Sequence, residues 1–175
     1  MCRTRAGTKM KGSQLTRAID FLMEPDTIVV FDIDGGLAPY EFTPRCHSVI
    51  DDDEWFELVR TGDPYGGLPP VKLIQRMIEE KGGDNIYVCS VSSPDEYAGK
   101  QRFVEKNYAI DPSHIRFVAE KSKKLEALRQ IADERGVSES CVAMVEDTVK
   151  TLDAIARASD IATIHVSSLF AYDER

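Results

Sequence analysis

Two aspartates one residue apart, Asp32-Ile33-Asp34, close an apolar run of Ile28-Val29-Val30-Phe31 and are followed at once by Gly35-Gly36. Carboxylates this near repel, so a cation is expected between or above them. A hard divalent ion such as Mg²⁺ takes oxygen ligands and is commonly held by one or two carboxylates together with a substrate phosphate. On an extended segment a spacing of two puts both side chains on the same side, so Asp32 and Asp34 are expected to face one ligand. A strand ending in an ordinary Asp-Gly turn is the plain alternative. The rest of the chain decides between the two.

The elements that would position this pair can be read in order. A short unbroken apolar run is the pattern of a strand covered on both faces, as in a parallel sheet. Similar runs recur at 86–89, 115–118, 141–145 and 161–166. Helical patterns lie between them. One spans 13–24 and ends at Pro25. One opens at Pro69-Pro70, places Val71, Ile74, Met77 and Ile78 on one face and stops at Gly82-Gly83. The capping box Ser93-Pro94-Asp95-Glu96 starts a helix to about Asn107. Another turns Leu125, Leu128, Ile131 and Ala132 inward and closes at Gly136, and the last carries Val149, Leu152 and Ile155. Strands alternating with helices predict an α/β fold: a three-layer, doubly wound, mostly parallel five-stranded sheet with right-handed crossovers.

The insertion after the first strand, 37–68, holds Tyr40, Phe42, Trp55, Phe56 and Tyr65. Within it Asp51-Asp52-Asp53-Glu54 is expected to open a short helix through about Arg60, since acids favour a helix N-terminus. A long segment leaving the acidic strand end reads as a flap or small lid over the site. Residues 1–12, with Arg3, Arg5, Lys9 and Lys11, read as a mobile basic tail. At 175 residues the chain is expected to form one domain.

Composition narrows the classes. With 42% hydrophobic and 30% charged residues the chain reads as soluble and globular. A net charge of −8 argues against nucleic acid or an anionic membrane surface as the main partner, while one local lysine would suffice for a phosphate. No stretch approaches the ~20 apolar residues of a membrane span, and the N-terminus lacks the apolar core of a secretory signal. Cys2, Cys46, Cys89 and Cys141 show no paired metal spacing. The latter two fall in strand runs as small hydrophobes, and a reduced, cytoplasmic setting is the simplest reading.

Polar residues recur where the strands end: Asp32 and Asp34 after the first, Ser90 after the second, Lys121, Lys123 and Lys124 after the third, Glu146-Asp147 after the fourth. In a parallel sheet these ends share one edge, where ligands bind. Two acids, a hydroxyl, an ammonium and a further acid pair are the inventory for phosphoryl transfer to a carboxylate.

In that order the chain from Thr27 to Val166 resembles the haloacid dehalogenase (HAD) superfamily, mostly phosphohydrolases. Asp32-Ile33-Asp34-Gly35 matches the first motif, Ser90 the second, a lysine near Lys124 the third and Glu146-Asp147 the fourth. The resemblance implies a phosphate-monoester hydrolase in which Asp32 attacks phosphorus and forms an aspartyl phosphate. Asp34 then acts as acid and afterwards as base. Mg²⁺ would be held by Asp32, the Asp34 backbone carbonyl and Asp147. Ser90 and the lysine would bind phosphate oxygens, with the backbone N–H groups around Ile33 and Gly35 as an anion cradle. Lys124 resembles the family lysine best, and Lys123 is close behind. Glu146 fits a supporting role better than direct ligation. The substrate would be a small phosphorylated molecule, a nucleotide or a larger phosphorylated species.

Two departures stand out. Gly36 occupies a position where the family commonly has Thr or Val, so a looser turn is expected. The 37–68 insertion is too short for a large cap, which implies an open site. Other phosphate chemistries lack their signatures. Neither Cys89 nor Cys46 begins a Cys-x5-Arg, and no G-x-x-x-x-G-K-[ST] or G-x-G-x-x-G is present. A receiver domain would carry its acceptor Asp on the third strand, which ends here in Ala119-Glu120. A HAD-like phosphate-binding or regulatory protein with little or no turnover is the remaining alternative.

Overall fold

Alternate residues of the first strand face opposite cores. In the computed structural model, which describes residues 14–39 and 51–174, β1 (Ile28–Phe31) is buried along its whole length. Val29 and Phe31 join one apolar cluster, Ile28 and Val30 another. That is the alternation of a strand covered on both faces. The first cluster takes Ile19 and Leu22 from α1 (Gln14–Met23), Ile74, Met77 and Ile78 from α3 (Lys72–Lys81), and Phe103, Val104 and Tyr108 from α4 (Tyr97–Tyr108). The second takes Ala127, Leu128 and Ile131 from α5 (Lys124–Arg135) and Leu152 and Ile155 from α6 (Val149–Ala158). The three expected layers follow from these two apolar faces.

The sheet adds β2 (Ile86–Val91), β3 (Ile115–Val118), β4 (Val142–Glu146) and β5 (Ala162–His165) in the order β3-β2-β1-β4-β5. The expectation of a mostly parallel sheet is exceeded, because every pairing is parallel. β1 is central and lies between β2 and β4. The chain winds outward through β2 and β3, returns, and winds the other way through β4 and β5. The change of direction between β1 and β4 is the switch point at which open α/β sheets form a crevice.

Several boundaries differ from the expectation; β5, for one, is shorter than the run at 161–166. β2 does not stop before Ser90: the ladder to β3 continues through Ser90↔Phe117 and Val91↔Val118, so Ser90 lies inside the strand. Cys141 closes a 3₁₀ turn and β4 begins at Val142. The helix in the insertion, α2 (Asp52–Thr61), forms as its acids suggest, and the Asp51 carboxylate accepts a hydrogen bond from the Glu54 amide. Gly136 ends α5 in the left-handed conformation. The expected basic tail at 1–12, and Tyr40 and Phe42 of the insertion read as a flap, lie outside the described residues. Among the described residues no helix is long and apolar enough to cross a membrane.

Candidate functional site

Asp32 is the first residue past β1, anchored by its amide to the Val145 carbonyl of β4 at 3.0 Å. The chain then turns at once. Gly36 N–H donates to the Ile33 carbonyl (3.1 Å), Leu37 N–H to that of Asp32 (3.1 Å) and Ala38 N–H to that of Ile33 (2.7 Å). Gly35 has φ of 76°, a region that favours glycine. Gly36 is required for another reason: a Cβ there would lie 2.4 Å from the Asp32 carbonyl oxygen. The turn is therefore tight at Gly36, and the looser turn expected from its identity is not found.

This early turn also removes the period of two. The Asp32 and Asp34 carboxylates do not share a lysine; each takes one from a different helical layer. Asp32 Oδ2 pairs with Lys124 at the start of α5 (3.0 Å). Asp34 Oδ2 pairs with Lys100 of α4 (2.7 Å). The two carboxylates thus have different lysine partners, yet stay near enough for the charge of Asp32 to raise the proton affinity of Asp34.

Around Asp32, Lys124 is buried and pairs at the same time with Glu146 at the end of β4. The other Glu146 oxygen accepts the Thr148 amide at 3.2 Å, so both Glu146 oxygens are engaged by the protein. Asp32 Oδ1 differs: it is buried and accepts no hydrogen bond among the described residues. Ligand oxygens of Asp32, Glu146 and Asp147 lie within 4.8 Å of one another. Burial pushes the Asp32 carboxyl above its ordinary range, Lys124 opposes that, Glu146 adds to it, and the nearby Ser90 hydroxyl favours the charged form. Burial would pull Lys124 down, but Asp32 and Glu146 outweigh it and hold its affinity for the proton above the usual. The fourth acid, Asp147, accepts from the Thr148 hydroxyl (3.1 Å), and its carbonyl lies 3.0 Å from His165 Nε2.

Around Asp34 the insertion after β1 contributes directly. Tyr65 is buried and its hydroxyl donates to Asp34 Oδ1 at 2.8 Å. Its ring meets Trp55 edge-on at 6.1 Å and Phe103 at 6.3 Å. The segment behind it is seated on α4, where Arg102 pairs with Asp63 at 2.8 Å. A Cβ at Gly99 would lie 3.0 Å from an Asp63 oxygen. Burial pushes Asp34 up, with Lys100 opposing. Burial and then Asp34 itself push the Tyr65 phenol well up, so it stays a donor.

The structure thus brings Asp32, Ser90, Lys124 and Asp147 together, with Glu146 as the partner of Lys124. It does not bring Lys123, whose side chain is 57% exposed and pairs with Glu126. Lys121 is also exposed, with its ammonium 3.2 Å from the Thr148 hydroxyl. The Gly35 N–H, expected in an anion cradle, is bonded to the Ala38 carbonyl at 2.9 Å. The Ile33 and Asp34 amides donate to no backbone oxygen among the described residues. The Asp34 carboxylate lies outside the trio of metal-compatible acids.

Sequence reasoning missed Lys100 and Tyr65. Lys100 had a signal: it stands three and four residues ahead of Phe103 and Val104 on α4, on the inward face. Tyr65 had none, being 31 residues from the acid it contacts.

No protein-family model matches the chain, and no curated protein matches it in sequence. Among solved structures it is similar to the N-terminal part of BF1531 from Bacteroides fragilis, which contains a phosphatase domain and was determined complexed with Mg. The likeness has a TM-score of 0.53 at 14% identity over 85% of this chain, which spans 39% of the length of that structure. A HAD family enzyme from Bacteroides thetaiotaomicron, in a magnesium complex, aligns at a TM-score of 0.40 and 11% identity over 81% of this chain and 93% of its own. At 0.40 that second likeness carries no argument. The first establishes that the two share an α/β fold.

Proposed function

We propose that this chain is a HAD-type phosphohydrolase that moves the phosphoryl group of a phosphate monoester onto Asp32 and then to water. One observation carries the reading. At the switch point of a parallel sheet, a buried aspartate keeps one oxygen uncommitted while its other oxygen is held by a buried lysine and a second acid stands beside it. A buried carboxylate oxygen without a partner is costly, and a ligand at that position would relieve the cost.

The donor set suits Mg²⁺, since all its members are hard oxygens. Asp32, Asp147 and the Asp34 backbone carbonyl would hold it, and when bound it offsets the repulsion between an anionic carboxylate and an anionic phosphate. The Mg in the Bacteroides fragilis phosphatase-domain structure supports this assignment.

The residues then divide the work. Asp32 attacks phosphorus: a bond from its oxygen to phosphorus forms as the ester P–O bond breaks. Asp34 gives its proton to the leaving oxygen, and the raised proton affinity caused by burial suits that task. Water next attacks phosphorus and loses a proton to Asp34, the Asp32–phosphorus bond breaks, and inorganic phosphate departs. Lys124 and Ser90 bind phosphate oxygens, and the Ile33 and Asp34 amides join them. The substrate class is a small phosphorylated molecule.

The test is phosphate release from a panel of phosphorylated metabolites and aryl phosphates, with and without Mg²⁺, alongside thermal unfolding in the same buffers. Release that requires Mg²⁺, and a Mg²⁺-dependent rise in Tm that D147N abolishes, are expected. A ligand at 100 times its Kd stabilises by about 2.7 kcal/mol. Phosphate binding without turnover by the unmutated chain would favour the binding-protein alternative.

A further inference from the structure

Lys100 is 1% exposed. A buried ammonium must find acceptors, and this one has three: Asp34 Oδ2 at 2.7 Å, the Val91 carbonyl at 2.6 Å and Glu96 Oε1 at 3.5 Å. It also stands 5.7 Å from the centre of the Tyr65 ring. Tyr65 holds the other oxygen of the same carboxylate. Asp34 is therefore gripped at both oxygens, from the helix after β2 and from the flap, while its side chain remains 25% exposed. That leaves an edge open to the crevice.

The chemistry of such a grip follows from charge. When a carboxylic acid gives up its proton, negative charge grows on its oxygens. Donors already aimed at them stabilise that charge in the transition state without rearranging. On the reading that Asp34 is the acid and base of phosphoryl transfer, we propose that Lys100 and Tyr65 are its positioning residues. They fix the carboxylate and stabilise the charge it acquires as the leaving oxygen takes its proton. Seating of the flap on α4, through Asp63, Gly99 and Arg102, is thereby coupled to proton transfer. The enzyme then favours substrates whose leaving group needs a proton, namely alkyl phosphates such as phosphorylated sugars or alcohols.

The test compares kcat/KM for phosphate esters graded by leaving-group acidity, from dinitrophenyl phosphate to an alkyl phosphate, in the unmutated chain, K100M, K100R and Y65F. Proton transfer matters least for the most acidic leaving group, so K100M and Y65F are expected to lose about tenfold more on the alkyl ester, a part of the roughly 10²–10⁴-fold that acid–base catalysis supplies. K100R restores part of the difference. Equal losses across the series would overturn the proposal, since a merely structural role lowers every rate alike. Y65F removes a single oxygen and carries the test if K100M does not fold. Hydrogen exchange of residues 63–68, measured without metal or substrate, is the second readout: faster exchange in Y65F or K100M is expected, and unchanged exchange in both overturns the coupling. If the unmutated chain releases no phosphate from any ester, the functional reading fails, and the exchange result alone then judges the grip.

Discussion

Lys124 Nζ lies 3.0 Å from Asp32 Oδ2 and pairs at the same time with Glu146, so one buried ammonium serves the acids that end two neighbouring strands. The lysine enters from the first turn of α5, where its stem is buried and only its head meets charge. This contact ties the second helical layer to the switch point of the sheet.

Removing that ammonium leaves two buried carboxylates facing each other. K124M is expected to cost about 3–5 kcal/mol, the range for breaking a buried pair by deleting one partner. Urea unfolding checks it. Adding E146Q removes one of the stranded charges, so the double variant is expected to be more stable than the sum of the single losses, by about 0.5–3 kcal/mol. Simple additivity would mean that Lys124 and Glu146 are not coupled.

Two glycines in the same half of the chain predict opposite outcomes. G36A drives a methyl against the Asp32 carbonyl at 2.4 Å, and that backbone must shift. A loss of about 1–3 kcal/mol, typical of overpacking, is expected with a fall in any phosphatase activity, because the atom displaced belongs to Asp32. At Gly67 a Cβ meets nothing within 4 Å, and G67A is expected to stay within about 0.5 kcal/mol, as surface changes do. Thermal unfolding of the pair, side by side, decides.

Most of the fold was legible because local signals agreed with the tertiary result. The apolar runs at 28–31 and 115–118 became strands with those bounds. The Ser93–Glu96 capping box formed as written in the sequence, turning into α4. At the site, Asp32 and Asp147 converge because each directly follows a strand, and Lys124 joins them from the first turn of α5. What failed depended on geometry that spacing cannot carry. The spacing of Asp32 and Asp34 says nothing of their separate lysine partners, which come from two different helices. Lys123 and Lys124 are adjacent in sequence, yet a helix start sends neighbours to different faces, so one is exposed and one is buried. Tyr65 reaches Asp34 by a long-range contact that no local pattern encodes.

Glu96 provides a pH signature. Burial raises its proton affinity, but Lys100 and the Ser93 hydroxyl and amide outweigh that and hold its carboxyl below the ordinary value of 4.5. A carboxyl lowered on folding contributes stability above its unfolded value, and that contribution disappears as pH falls through the folded value. E96Q is therefore expected to lower the urea midpoint at pH 7, with the gap to the unmutated chain closing below about pH 4. Unfolding midpoints between pH 7 and 3 check this. A gap that stays constant across that range would assign the loss to the helix cap alone.

Asp32 is expected to take the phosphoryl group. Acid quenching during turnover of a substrate labelled at phosphorus, in the presence of Mg²⁺, measures it directly. Protein-bound label is expected that hydroxylamine releases, that maps to the peptide containing Asp32, and that is absent from D32N. Turnover with no label on the protein, or label that persists in D32N, would contradict it.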